Sequence, residues 1–235
     1  MHFDPRKFTN CAIWLDASDY TTLTFNGSNI SAWKNKATAG NAVQATGSAQ
    51  PTYSATGINS KPAVIFDADD ILTIPYSSAI DFTTCSTFIV YTRETDTGSN
   101  QSLVGKYNTS GAFRQWNLRV DGSDSQSALA SSDGTGGTLA QATTGFANVV
   151  STPYLLSGHF DGTNVIAEVN NLKRTKAALA SIVQTTVGYD IGGGFGTFLN
   201  GRISEVIHYN TVLSVANQIA VTQALAAKWS ISLSA

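Results

Sequence analysis

Apolar and polar positions alternate in short runs along most of this chain, with turn residues between the runs, a period that belongs to strands. The pattern is densest over residues 198–210. There Asn200-Gly201 reads as a turn, and Ile203, Val206, Ile207 and Tyr209 as a β-branched and aromatic strand. Segment 86–92, with Phe88 and Val90 alternating, predicts a second central strand. Shorter strands are expected over 12–16, 30–33, 62–66, 71–74, 102–107, 115–120, 154–160 and 165–169. Segments 62–66 and 71–74 are expected to pair as a hairpin across Asp67-Ala68-Asp69-Asp70, and Asp161-Gly162 and Asn170-Asn171 mark two more turns. Segments 40–57 and 123–145 are poor in large apolar groups and read as surface loops, the second with one short strand near Ala128. Gly192 to Gly196 opens no helix, so it reads as a flexible strand connection and not a phosphate loop. Ser214 suits a helix N-cap, although Asn217 stands where a capping box wants Glu or Gln. Val215, Ile219, Leu225 and Trp229 are expected to form the buried face of that helix. The sum is all-β: an antiparallel two-sheet sandwich with one short C-terminal helix, residues 12–235 forming the domain and residues 1–11 an N-terminal arm.

Composition narrows the setting. At 235 residues the chain can bury a full core without cross-links. Charged residues make up 13%, about half the usual share of roughly 25%, so the surface is polar but largely uncharged. Net charge is −2, and the largest basic run, Lys173-Arg174-Thr175-Lys176, reads as a solvated hairpin loop. Nucleic-acid binding, which needs several phosphate-facing cations on one face, is not expected. No stretch could span a bilayer, so no membrane partner is expected. The first residues lack the apolar core of a signal peptide, which points to synthesis in the cytoplasm without an export signal. Glycosylation patterns at Asn26, Asn29 and Asn108 are discounted for that reason. Cys11 and Cys85 read as free buried thiols, with a single disulfide between them as the alternative.

Several segments resemble the laminin G-like, concanavalin A-like jelly-roll superfamily. Phe66-Asp67-Ala68-Asp69-Asp70-Ile71-Leu72 is similar to its Phe-Asp-Gly-x-Asp-Asp-x-Leu stretch, with Ala68 in place of the usual glycine. Segments 86–91 and 103–106 resemble the next two strands, and His159-Phe160-Asp161-Gly162 through Asn170-Asn171 the following hairpin, with Asn171 where a glycine is usual. Phe198 through Tyr209, Leu213-Ser214 and Lys228-Trp229 resemble the closing segment. The opening Trp14-Leu15-Asp16-Ala17-Ser18-Asp19, with Trp33-Lys34-Asn35-Lys36 and Gln50-Pro51-Thr52-Tyr53, is similar to the start of such domains in bacteriophage virion proteins. The resemblance implies a jelly roll over residues 12–231. It also implies a non-enzymatic virion protein on the particle surface, as a capsid decoration or tail-fibre accessory, made in the host cytoplasm. Its partners would be other virion proteins, further copies of itself and host surface glycans, with the arm as docking element. A free carbohydrate-binding, lectin-like module is the alternative, and a polysaccharide-degrading enzyme a third reading.

Candidate chemistry is sparse. Jelly-roll glycosidases need two carboxylates flanking a sugar. The three glutamates, Glu94, Glu168 and Glu205, lack acidic neighbours at strand spacing, so no catalytic residue is expected. Glu205 shares a face with Ile203 and Ile207 by simple alternation and is expected to make a structural hydrogen bond to nearby backbone. Asp67, Asp69 and Asp70 are the one weak calcium candidate, and no other cofactor is expected. His2, His159 and His208 are too scattered for a transition metal. For sugar binding, Tyr107, Asn108, Arg114 and Trp116 bracket one loop and would combine an aromatic face with polar groups, although the preferred reading puts Trp116 in the core with Arg114 covering its edge.

Overall fold

The computed structural model describes residues 3–108, 110–194 and 196–234, with the side chains of 173–175 left aside. Its centre is β17 (Asn200–Tyr209), as the sequence pattern predicts. One edge of β17 pairs with β8 (Cys85–Arg93). The other edge is shared end to end, β6 (Lys61–Asp67) pairing with its first half and β1 (Cys11–Asp16) with its second. Beyond β8 follow β13 (Tyr154–Phe160), β14 (Asn164–Val169) and β15 (Leu172–Ala178), and beyond β6 lies β5 (Thr52–Ile58).

A second series runs β4 (Ala42–Val43), β7 (Leu72–Ile74), β16 (Tyr189–Ile191), β9 (Gln101–Asn108), β10 (Phe113–Val120), β11 (Ser125–Ser131) and β12 (Leu139–Ala147). β3 (Asn29–Trp33) joins the two series, pairing with β4, β5 and its hairpin partner β2 (Leu23–Asn26). The result among the described residues is one antiparallel sheet of 17 strands. It curls until β11 and β12 lie against β14 and β15, so the ladder is nearly closed.

Two cores fill this frame. Trp33, Phe66, Ile89, Tyr91, Trp116, Leu118 and Val206 lie inside the curl. Phe88, Val90, Ile207 and Tyr209 point the other way and are covered by α1 (Val215–Trp229). This is why β8 is buried along its whole length: alternate side chains serve different cores. Cys85 sits in the first core and Cys11 in the second, both as free thiols, so the disulfide alternative is not realised.

Several expectations are corrected. Segment 71–74 does not fold back on 62–66: β7 pairs with β16 and β4. A turn signal fixes where a chain reverses, not which strand receives it, and here the chain crosses to the second series. Ala68 accepts φ +83° at this turn without a glycine. Asn200-Gly201 is no turn but the first two residues of β17. Segment 123–145 holds two full strands, β11 and β12, and segment 40–57 contains β4 and most of β5. The basic run lies in strand β15 rather than in a hairpin loop.

The helix also turns a different face inward. Gln218, Val221, Thr222, Leu225, Ala226 and Trp229 are buried, whereas Val215 is 63% and Ile219 44% exposed. At about 100° per residue Ile219 lies about 120° from Leu225, outside the buried arc, whereas Val215 falls within that arc by angle but stands exposed as the first residue of the helix. Ser214 does cap the helix, its Oγ accepting the Asn217 N–H at 3.3 Å. Among the described residues no helix is long and apolar enough to cross a membrane.

Candidate functional site

The four residues expected to form a sugar platform do not form one. Tyr107 and Arg114 pair across the β9–β10 ladder, but Tyr107 is buried and closed to a stacking ligand. Trp116 points into the first core and donates its Nε1–H to Thr87 Oγ1 at 3.1 Å. The Asn108 carboxamide oxygen accepts the Ser110 N–H and hydroxyl at 2.9 and 2.8 Å, which closes the loop tip on itself. The signal was in the chain: Trp116, Leu118 and Val120 are spaced by two, so all three face the core.

The ligand oxygens of Asp67, Asp69 and Asp70 do converge, all within 4.8 Å of one another. Three carboxylates supply part of the six to eight oxygens calcium takes. Asp70 is buried and accepts the Asp67 N–H at 3.2 Å. Burial first, then the charge of Asp67, push its carboxyl up to about 7. The native state therefore holds this proton more tightly than the unfolded chain, whose aspartates titrate near ~4. Stability is expected to fall as pH rises from about 4 to about 7, where Asp70 ionises in the fold. Asp70→Asn keeps an acceptor oxygen and is expected to flatten that slope in urea titrations; an unchanged slope would assign it to another group.

Glu205 is structural, but its partners are not backbone groups. The ladder register between β17 and β8 shifts between Ile203 and Glu205, which sends Ile203 to the inner core and leaves Glu205 facing the helix. There it accepts the indole N–H groups of Trp14 at 2.8 Å and Trp229 at 2.6 Å, and the Lys228 ammonium at 2.7 Å. Asp16, opposite Glu205 in the β1–β17 ladder, takes the same ammonium at 2.7 Å. Burial raises the Glu205 carboxyl despite Lys228. Burial works on Asp16 too, but there Lys228 and its hydrogen bonds prevail and hold it low. These two carboxylates lie within reach of one ammonium, under the helix and with their oxygens engaged, so they offer no cleft to a sugar.

A depression lies elsewhere, at the N-terminal segment. It has a volume of about 450 Å³ and is walled by Arg6, Phe8, Asn10, Lys36, Thr38 and Asn210. A second, of about 290 Å³, shares Arg6 and Lys36 and adds Asp19, Thr21 and Lys34. The shared cations lie over the Trp14 ring, Arg6 Cζ at 5.2 Å and Lys36 Nζ at 4.1 Å from its centroid. Together the two make one trough with a cationic saddle, within the size range of ligand sites.

Local chemistry builds each wall. Asp4 caps the Pro5–Lys7 turn and binds the Arg6 side chain at 2.9 and 2.8 Å. Asn35 pins the 34–39 loop to β1: its Oδ1 accepts the Trp14 N–H at 2.7 Å, and its Nδ2 donates to the Ala12 and Ala39 carbonyls at 2.9 Å. Lys36 is shared by Asp16 and Asp19, at 3.3 and 3.1 Å. Asn210 donates to the Ala79 carbonyl at 2.8 Å, and its Oδ1 is buried against His208 rather than presented to the trough. Both cations are thus already neutralised, and donors and acceptors alternate along the walls. Such a lining suits a neutral, hydroxyl-rich ligand better than an anion.

No known family profile and no curated sequence matches the chain. Solved structures do. Domain 4 of AbnA, a GH43 extracellular arabinanase from Geobacillus stearothermophilus, solved in complex with arabinotriose, superposes with a TM-score of 0.64 at 10% identity, covering 91% of this chain and 98% of that one. The CBM40 of a Ruminococcus gnavus IT-sialidase matches at 0.52 and 15% identity, over 68% of this chain and 96% of that one. Trypanosoma rangeli sialidase with sialic acid matches at 0.61 and 13% identity, over 97% of this chain but 34% of its own, so the chain spans about a third of that enzyme. At these identities the likeness is one of fold. It bears out a jelly-roll-like β fold of the kind seen in carbohydrate-binding and glycosidase-associated domains, and it lends no support to the expected virion role.

Proposed function

We propose that the chain is a non-catalytic carbohydrate-binding module, a two-sheet jelly roll that takes a neutral oligosaccharide in the trough between Arg6, Lys36 and Asn210. The observation that carries this is the near end-to-end match to one domain of an arabinanase, solved with arabinotriose, 98% of that domain being covered. The paired charges along the trough supply the matching chemistry. Enzymatic action is the weaker reading, because the Asp16–Glu205 pair is sealed beneath α1 and the Asp67–Asp70 turn lies outside the trough. A role on a virus particle has no observation in its favour beyond the resemblance of the opening segments.

Affinity electrophoresis through gels containing arabinan, xylan, a mixed β-glucan or starch tests the proposal. The protein is expected to be retarded saturably by at least one of them and to release no reducing sugar from it. Arg6→Ala is expected to weaken retention by about five-fold, roughly the value of one hydrogen bond, at an unchanged melting temperature. Absence of retardation on every gel would remove the reading.

A further inference from the structure

We infer that Tyr20, with Phe25 and Tyr53 beneath it, forms a second sugar-binding surface that takes one pyranose ring of a neutral glycan by stacking. The inference rests on the carbohydrate-binding reading above but uses none of the trough residues. Tyr20 is 56% exposed and is part of an aromatic cluster. It stacks on Phe25 with centroids 5.2 Å apart and planes 29° apart, and meets Tyr53 edge-on at 5.3 Å. Phe25 and Tyr53 are themselves 6.3 Å apart, so the three centroids form a near-equilateral triangle. Neither partner can then lie opposite the other across Tyr20, and the ring face turned away from Phe25 is the one left open.

The cluster is held rigidly. Tyr20 opens the Tyr20–Thr22 turn, whose Thr22 N–H bonds the Asp19 carbonyl at 2.9 Å and whose Thr22 carbonyl takes the Lys34 N–H at 2.7 Å. Phe25 belongs to β2 and Tyr53 to β5, and both pack against the first core. A pre-set aromatic face loses little side-chain freedom on binding.

Size selects the occupant. An aromatic side chain offers about 150–250 Å² in all, so just over half of one exposes roughly 100 Å². A stable protein partner needs ~800 Å² on each side. The open face of Tyr20 falls far short of that and is comparable to one sugar ring. Asp19 and Thr21 of the same turn line the trough, so one turn of chain separates the two surfaces and a longer glycan can engage both.

The test uses the same polysaccharide gels with Tyr20→Ala, Tyr20→Phe and Tyr20→Trp, each checked by thermal melting and by sedimentation. Stacking is expected to make Tyr20→Ala about five-fold weaker in retention, with Phe and Trp close to the parent. Equal retention of Tyr20→Ala and the parent would overturn this surface while leaving the trough intact. A parent retained by no gel would remove both readings. Self-association of the parent that disappears in Tyr20→Ala would give the patch to a second copy of the chain and overturn the sugar assignment.

Discussion

Glu205→Ala is expected to lose about 3–5 kcal/mol of unfolding free energy in urea titrations, the range seen when one partner of a buried charge pair is removed. For a domain of this size that corresponds to a melting point lower by roughly 10 °C. The carboxylate terminates three donors, two indole N–H groups and the Lys228 ammonium, all within 2.8 Å. Alanine would leave the two indoles buried without acceptors and would leave Lys228 to Asp16 alone. Glu205→Gln separates the contributions. Its carbonyl can still accept one N–H, but its NH₂ faces another donor, so an intermediate loss is expected. A loss under about 1 kcal/mol for alanine would place this cluster with ordinary surface ion pairs and refute its role in seating the helix.

Gly201→Ala is the second large effect, expected at about 3 kcal/mol or as failure to accumulate in soluble form. A Cβ on Gly201 would lie 2.1 Å from the Thr92 carbonyl oxygen and 3.1 Å from Arg93 Cα. Both obstacles are backbone of β8, which pairs with β17 at this point through Gly201–Arg93 and Arg202–Thr92. Neither can move without opening the central ladder. Gly40→Ala is the control, since its Cβ would meet only Ile74 Cγ2 at an ordinary 3.8 Å. Equal stability of the two variants in urea titrations would show that the central ladder has slack the geometry does not indicate.

The contrast between these glycines also marks what the sequence can reveal. Gly201 follows an asparagine and so carries a hairpin signal, yet it serves the close approach of two strands, a relation between residues over a hundred positions apart. The strands β8 and β17 were legible because large apolar side chains alternate along them. β11 was legible only as one short strand near Ala128 and β12 not at all, because the residues they turn toward the core are Ala128, Ala130, Ala140 and Ala142, small enough to fit opposite Trp116 and Leu118 and too small to stand out as a pattern. Glu205 was read as a structural residue, but the register shift that aims it at the helix leaves no mark in the spacing. The trough was invisible for another reason. Arg6, Lys36 and Asn210 come from three distant segments that only tertiary structure assembles. Trp116 lies near a loop and so offered itself as a platform, but its alternation with Leu118 and Val120 favours the core, where it lies.

The position of β17 has a consequence for how the molecule is made. This strand touches β1, β6 and β8, yet it is the last strand of the chain. Until residues 200–209 are made, β1 has no strand to pair with, and β6 and β8 are joined only the long way round, through the second series. The inner edges of β1, β6 and β8 then have no native neighbour, and exposed edges of that kind invite pairing with other chains. Closure of the sheet must wait for this strand, and the interval before it emerges is when the protein most needs a chaperone.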